Sequence, residues 1–336
     1  MNLLVTGGGG FLGSALVPRL LHAGHRVRLL QRSPAPEAEG RGAEVKRGSV
    51  EDPGAVRAAL EGVEAVYHLA GRVDFDPKDP AALYALHVQG TRTVLEAARA
   101  AGVAKVLLAS TSGTMAVFRE ERVGTETDPH PLREVAGWPY YLSKIYQEKA
   151  ALRVSRDTGL PLVVLNPSLL LGPGDARLSS TDVVWKFLKR RIPAMPGGGL
   201  SFVDVRDAAD AFAAALLRGR PGERYLLGGA NMTFRELFGR LERLSGVAAP
   251  RVSLPSGLNV AGVRLLERLS SWRGVEAPID ASSVEMGERY WYCDSRKAAE
   301  ELGFSPRDPQ ETLAETVRWL RQHLDREPAK TVAELG

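Results

Sequence analysis

Tyr140-Tyr141-Leu142-Ser143-Lys144 sets a phenol and an ammonium four residues apart, directly after Pro139. On a helix starting at that proline, Tyr140 and Lys144 share one face. Tyr141 and Ile145 fall in the adjacent register, which lacks the lysine and reads as packing. A tyrosine titrates near pH ~10 in water, and a neighbouring ammonium lowers that value by favouring the phenolate. Such a pair can pass a proton to or from a substrate oxygen near neutral pH. Upstream, Ser110-Thr111-Ser112-Gly113 closes an apolar run. Hydroxyls at the carboxyl end of a parallel strand face a ligand crevice, although some of these three are expected to serve only the turn.

A second cluster lies at the start of the chain, where Thr6-Gly7-Gly8-Gly9-Gly10-Phe11-Leu12-Gly13 separates a short apolar strand from a helical pattern. Gly7 permits a tight turn, Gly10 lets the backbone approach a pyrophosphate, and Gly13 lets helix and strand pack closely. Free N–H groups and the positive end of the helix dipole then hold phosphate. In this assignment Gly8 and Gly9 are spare. The second strand ends in Leu30-Gln31-Arg32-Ser33, with no acid to bond the adenosine ribose and repel a 2′-phosphate. Arg32 can make a forked, charge-assisted contact to that phosphate and Ser33 can add a hydroxyl, so NADP is preferred over NAD. The competing reading of Arg32 is a solvated basic loop.

The elements that position these residues alternate. Strands are expected at Asn2–Thr6, Arg26–Gln31, Glu44–Arg47, Ala65–Leu69, Lys105–Ala109 and Leu162–Leu165. Helices are expected at Phe11–His22, Pro53–Leu60, Ala81–Ala101 and Tyr140–Thr158, with a basic, proline-containing loop after the second strand. This is an α/β chain: a Rossmann-type, doubly wound parallel sheet covered on both faces. Past Asn166 the rhythm changes, with helices at Val205–Arg218, Phe234–Leu244, Ser295–Leu302 and Gln310–Leu320 among short strands. The expected organisation is a cofactor domain over 1–168 and a smaller, interleaved α/β substrate lobe over 169–330. A segment at about 200–218 returns to the first domain. Leu258–Trp272 reads as an amphipathic helix, packed rather than membrane-bound.

Composition bounds the rest. The chain has 336 residues, 44% hydrophobic and 25% charged, which excludes a disordered chain and a disulfide scaffold. Its net charge of +4 is spread without long basic runs and does not argue for nucleic acid. Cys293, alone, cannot form an intramolecular disulfide, which fits a reducing compartment. His68 and His130 have no ligand-spaced partners, so no metal is expected. With no membrane-spanning apolar run and no secretory leader, the expectation is a cytoplasmic protein. Phe75, Tyr84, Phe118, Trp138 and Trp185 either line a substrate pocket or belong to the core.

Taken together, Thr6 to Gly13, the hydroxyl cluster and Tyr140-x-x-x-Lys144 resemble the extended short-chain dehydrogenase/reductases, over nearly the whole chain. Tyr67-His68-Leu69-Ala70-Gly71 looks like the family's turn after its fourth strand, and Gly90 to Ala98 like its long helix. Leu165-Asn166-Pro167-Ser168 and Gly172-Pro173-Gly174 look like the segment beside the nicotinamide, and Phe202 to Asp207 and Tyr292 to Lys297 like C-terminal landmarks. Within the family the chain is most similar to the dihydroflavonol-reductase-like branch and to hopanoid-associated sugar epimerases.

The resemblance implies cofactor contacts at Gly7, Gly10, Phe11, Leu12, Gly13, Arg32, Ser33, Leu69, Ala70, Gly71, Tyr140, Lys144, Pro167 and Ser168. It assigns the catalytic hydroxyl to Thr111 in one register and Ser112 in another, with Tyr140 as acid and Lys144 as its partner. His87 stands where the family usually has asparagine, Ser49 where an aspartate usually contacts adenine, and Asn166-Pro167-Ser168 where nucleotide-sugar enzymes carry Arg-Pro-x-Asn. The implied activity is NADP-dependent reduction of a carbonyl on a small or medium organic substrate. The alternatives are a nucleotide-sugar epimerase or dehydratase cycling NAD, a 3β-hydroxysteroid or β-hydroxy-ketone dehydrogenase, and a non-catalytic sensor of NADP(H). The resemblance allows a homodimer built on two helices from each subunit and leaves the oligomeric state open.

Overall fold

Residues 1–75, 79–253 and 281–324 are described by the structure, a computed structural model. Leu258–Trp272 lies outside them. Strand β1 (Asn2–Thr6) is apolar at its centre, with Leu3, Leu4 and Val5 all fully buried, so it can only be a central strand covered on both faces. Around it run β2 (Arg26–Gln31), β3 (Glu44–Arg47), β4 (Ala65–His68), β5 (Lys105–Ala109), β7 (Leu162–Pro167) and β10 (Arg224–Leu227). These seven form one parallel sheet in the order β10-β7-β5-β4-β1-β2-β3.

Alternate residues face opposite ways in a strand. Leu3, Val5, Leu29, Leu107 and Val163 therefore share one core with α1 (Phe11–His22) and α8 (Val205–Arg218). Leu4, Leu30, Val66, Val106 and Val164 share another with α3 (Pro53–Ala59), α5 (Gly90–Ala100) and α6 (Pro139–Thr158). Each fully buried aliphatic side chain of this kind stabilises the fold by roughly 1.5–3 kcal/mol. No helix among the described residues is long and apolar enough to cross a membrane.

A smaller sheet has the order β11-β9-β12-β6, with β8 (Leu169–Leu171) also on β9. Its strands β6 (Val123–Gly124), β9 (Gly199–Asp204), β11 (Ala230–Thr233) and β12 (Tyr290–Cys293) come from distant parts of the chain. Between them, α8 packs back on α1 and β10 joins the edge of the large sheet. The two units thus share their connections. A third core, with Phe187, Phe202, Phe238 and Leu313, lies under the smaller sheet.

Two of the differences from the sequence expectation lie in the first third of the chain. The loop after β2 contains a short helix, α2 (Pro36–Gly40), begun by its proline. The long helix expected at 81–101 is broken into α4 (Pro80–Tyr84), a π-helical turn at Ala85–Gln89, and α5. The side chain of His87, within that turn, is bonded at both ring nitrogens. The wider turn is thereby tied to its surroundings, and such turns are frequent at functional sites.

Candidate active site

The sheet order reverses between β1 and β4, and ligands of open α/β sheets bind outside the carboxyl ends of the strands at such a point. The expected cofactor contacts outside the 140–144 helix follow the carboxyl ends of these strands. Gly7 to Gly13 follows β1, Arg32 and Ser33 follow β2, Leu69 to Gly71 follow β4, Thr111 and Ser112 follow β5, and Pro167 and Ser168 end or follow β7.

The glycine loop is shaped by what cannot fit in it. Gly7 has a φ of +72°, and a Cβ there would stand 2.7 Å from the Ala70 nitrogen. A Cβ on Gly13 would stand 2.5 Å from the Gly8 oxygen, so helix and loop touch through bare backbone. Gly8 packs on Leu29, whose Cδ2 would lie 2.8 Å from an added Cβ and would have to shift. By contrast, a Cβ on Gly10 would meet only the Gly7 oxygen, at 3.2 Å, and this residue opens α1 with no side-chain cap and no acid in the first turn. Uncapped N–H groups facing a cradle without side chains suit a pyrophosphate. Ser168 Oγ is buried without a protein partner at the end of β7, a second group poised for a ligand. These residues fit a dinucleotide. Arg32 and Ser33 are exposed, and among the described residues Arg32 has no ion pair.

At the other end of the crevice, α6 starts at Pro139, whose missing N–H costs nothing in a first turn. Tyr140 and Lys144 lie on its buried face, and Glu148 continues that face one turn further. Lys144 Nζ donates to the carbonyl of Ala109, the last residue of β5, at 2.8 Å. The lysine therefore ties the helix to the strand end that carries the hydroxyls. Thr111 is half-buried and caps a 3₁₀ turn at Ser112–Thr114, its Oγ1 accepting from the Gly113 N–H at 3.3 Å; Ser112 is buried.

The electrostatics depart from the sequence expectation. Burial pushes the Tyr140 phenol above its ordinary value instead of the lysine pulling it down. Burial also lowers the Lys144 ammonium to about 7, against an opposing pull from Glu148. Both groups leave water together, and the loss of hydration dominates.

Two buried histidines underlie this end. His87 Nε2 accepts from the Arg72 N–H at 3.1 Å, so Nδ1 carries the proton and donates to Ser143 Oγ at 2.8 Å. Ser143 Oγ in turn donates to the Tyr140 carbonyl at 2.7 Å. His68 bridges Thr6 Oγ1, at 2.7 Å, and Thr91 Oγ1, at 2.9 Å, joining β1, β4 and α5 beneath the loop. Desolvation depresses His68 to about 3 and His87 to about 2, with the charge on Lys144 adding to both, so each is neutral.

Of the candidate pocket aromatics, Phe75 reaches the site. Its ring stands edge-on to Tyr140 at 5.5 Å between centroids and stacks on Tyr141 at 5.9 Å. Trp138 is core, stacked on Trp291. Tyr84 lies against Tyr146, Phe118 under Arg122 and Trp185 under Lys189, so none of these three is paired with the Tyr140 ring. Tyr141 packs as expected and fills the space beside Gly113. Sequence reasoning missed the role of His87, Ser143 and Glu148 around Tyr140. The last was detectable as a further four-residue step along the helix face.

Comparison with known proteins adds to this geometry. The NAD dependent epimerase/dehydratase family matches residues 3–228. A putative dihydroflavonol 4-reductase of Synechocystis sp. is 30% identical over 95% of this chain and 94% of its own length. Sterol demethylase protein B of Methylococcus capsulatus is 31% identical over 96% and 99%. Among solved structures, gox2253 superposes with a TM-score of 0.83 at 33% identity, covering 96% of this chain and 98% of its own. UDP-glucose 4-epimerase of Thermotoga maritima, solved with UDP-glucose, superposes with a TM-score of 0.76 at 27% identity, covering 96% and 100%.

Proposed function

The chain belongs to the NAD dependent epimerase/dehydratase family, and from that membership we propose an NADP-dependent reductase of a carbonyl on a small or medium organic substrate. The observation that carries this reading is the buried face of α6, where Tyr140 and Lys144 stand beside the end of β5. The cofactor, when bound, supplies the hydride, and the protein supplies orientation and electrostatics. Gly7 to Gly13 would hold its pyrophosphate, and Arg32 with Ser33 its 2′-phosphate. Leu69 to Gly71, Pro167 and Ser168 would line its path towards Tyr140.

Thr111 or Ser112 donates a hydrogen bond to the substrate carbonyl oxygen. Tyr140 gives that oxygen its proton as the carbonyl carbon is reduced, leaving an alcohol and a phenolate. A phenol raised by burial is protonated at neutral pH, the state from which a general acid must start. Lys144 would hold the ribose and stabilise the phenolate left behind. The relative named putative dihydroflavonol 4-reductase supports carbonyl reduction, and the one named sterol demethylase protein B keeps sterols among the candidate substrates.

A second reading, a nucleotide-sugar epimerase or dehydratase that recycles NAD, is favoured by the likeness to UDP-glucose 4-epimerase. Asn166 argues against it. Standing where those enzymes carry arginine, its amide donates to the Thr111 carbonyl, Thr114 Oγ1 and Glu148, at 3.2, 3.1 and 2.9 Å, and is not aimed at a diphosphate. The deciding experiment titrates the protein with NADPH and NADH, then follows nicotinamide absorbance with ketones, aldehydes and nucleotide sugars. NADPH consumed with a ketone supports the reductase. A nucleotide sugar converted without net consumption establishes the epimerase instead. Cofactor binding with no turnover on any panel member, coupled to capture of a partner protein, would favour a sensor.

A further inference from the structure

A carboxylate with no exposed surface stands one turn beyond Lys144, and nothing in the proposed reaction uses it. Glu148 is 0% exposed, a costly position for a charge unless hydrogen bonds and an opposite charge compensate. Both are present. Its Oε2 accepts from Ser110 Oγ at 2.7 Å, Asn166 Nδ2 at 2.9 Å and Thr114 Oγ1 at 3.0 Å. Its Oε1 accepts from Arg224 Nη1 at 3.2 Å. One side chain thereby gathers the end of β5, the 3₁₀ turn, β7 and β10 around α6. Ser110 and Thr114 flank Thr111 and Ser112, so the carboxylate grips the hydroxyl-bearing turn on both sides.

The same group faces Lys144 along the helix. The other titratable groups around that ammonium are Tyr140 on α6, His68 from β4 and His87 from the π turn, with Arg72 beyond His87. Both histidines are neutral and the phenol keeps its proton, so among these groups Glu148 carries the negative charge. Arg224 draws on the other carboxylate oxygen and divides its field.

We propose that Glu148 is a positioning residue for the reaction at Tyr140: its carboxylate fixes the Thr111–Ser112 turn and keeps Lys144 in the ammonium form. This rests on Tyr140 and Lys144 being the reacting pair, as read above.

The test measures Lys144 directly, without turnover, by carbon NMR of labelled lysine side chains. Its resonance is assigned by its loss in Lys144→Arg. Glu148→Gln keeps the shape and removes the charge, so the Lys144 midpoint falls by about one pH unit. Arg224→Gln leaves the carboxylate undivided, so the midpoint rises. In turnover, the alkaline limb of kcat moves with the midpoint in each variant. A midpoint unmoved in both folded variants, or moved the same way in both, overturns the proposal, since a merely structural role has no reason to give opposed shifts. Should Glu148→Gln not fold, Glu148→Asp takes its place, with a smaller downward shift expected. Full turnover in Tyr140→Phe would defeat the reading of the site instead, and the lysine midpoints would still judge Glu148.

Discussion

The glycine loop is made of main chain contiguous from Thr6 to Gly13, whereas the Tyr140 end is assembled from β4, the π turn, β5, α6, β7 and β10. In the loop the decisive property is the absence of atoms: a methyl group on Gly7 or Gly13 would collide with backbone, and one on Gly8 with the end of the Leu29 side chain. At the other end the decisive property is protonation, because Tyr140, Lys144, His68, His87 and Glu148 are all buried. The first region should therefore fail by losing affinity for a ligand. The second should fail by losing rate, or by changing its response to pH.

The largest expected effect is at Tyr140. Tyr140→Phe should lower kcat by about 1,000-fold, within the range for a lost general acid, while fluorescence titration finds NADPH affinity nearly unchanged. A comparable loss of affinity would erase the distinction between the two ends. Next comes Gly13→Ala, whose methyl group must displace the Gly8 carbonyl. NADPH affinity should drop about 30-fold, roughly 2 kcal/mol, with a lowered Tm, since strained backbone sites cost of that order.

Acid titration separates the regions further. His68 and His87 are depressed in the folded protein to about 3 and about 2, below their ordinary value of 6.5. The unfolded chain therefore binds protons first as pH falls below 6.5, and stability is lost progressively from there towards pH 3. Urea unfolding between pH 6.5 and pH 5 should show a decline of the order of 1 kcal/mol per pH unit for each histidine. His68→Asn should flatten that slope; an equally steep slope in the variant would remove the histidines from the account. The smallest effect is expected at exposed Arg32. Arg32→Ala should reduce the preference for NADPH over NADH about tenfold, read as a ratio of dissociation constants, and leave kcat alone.

Legibility in the sequence followed the same division. β1, β2, β3 and β5 occur at the expected bounds; for β1 and β5 the reason is a short apolar run closed by a glycine or a serine, which has few other solutions. The long helix at 81–101 was only partly readable: its periodicity carries no sign of the π turn, which is held by Ser143 from α6 and by the Arg72 backbone. Gly8 looked redundant because Leu29, the side chain it must accommodate, comes from the neighbouring strand. Glu148 had the right spacing, but a carboxylate on a helix usually faces water. Only Ser110, Thr114, Asn166 and Arg224 converging on it make a buried one tolerable.

From the sequence alone come most strands and helices of the large sheet, the glycine loop and the four-residue step from Tyr140 to Lys144. These depend on covalent neighbours and on periodicities of 2 and 3.6 residues. Tertiary structure decided which charges lie out of water, which partners surround them and, through that, the direction in which Tyr140 and Lys144 titrate. Desolvation depends on everything packed around a group, and segments far apart in the chain supply most of that packing.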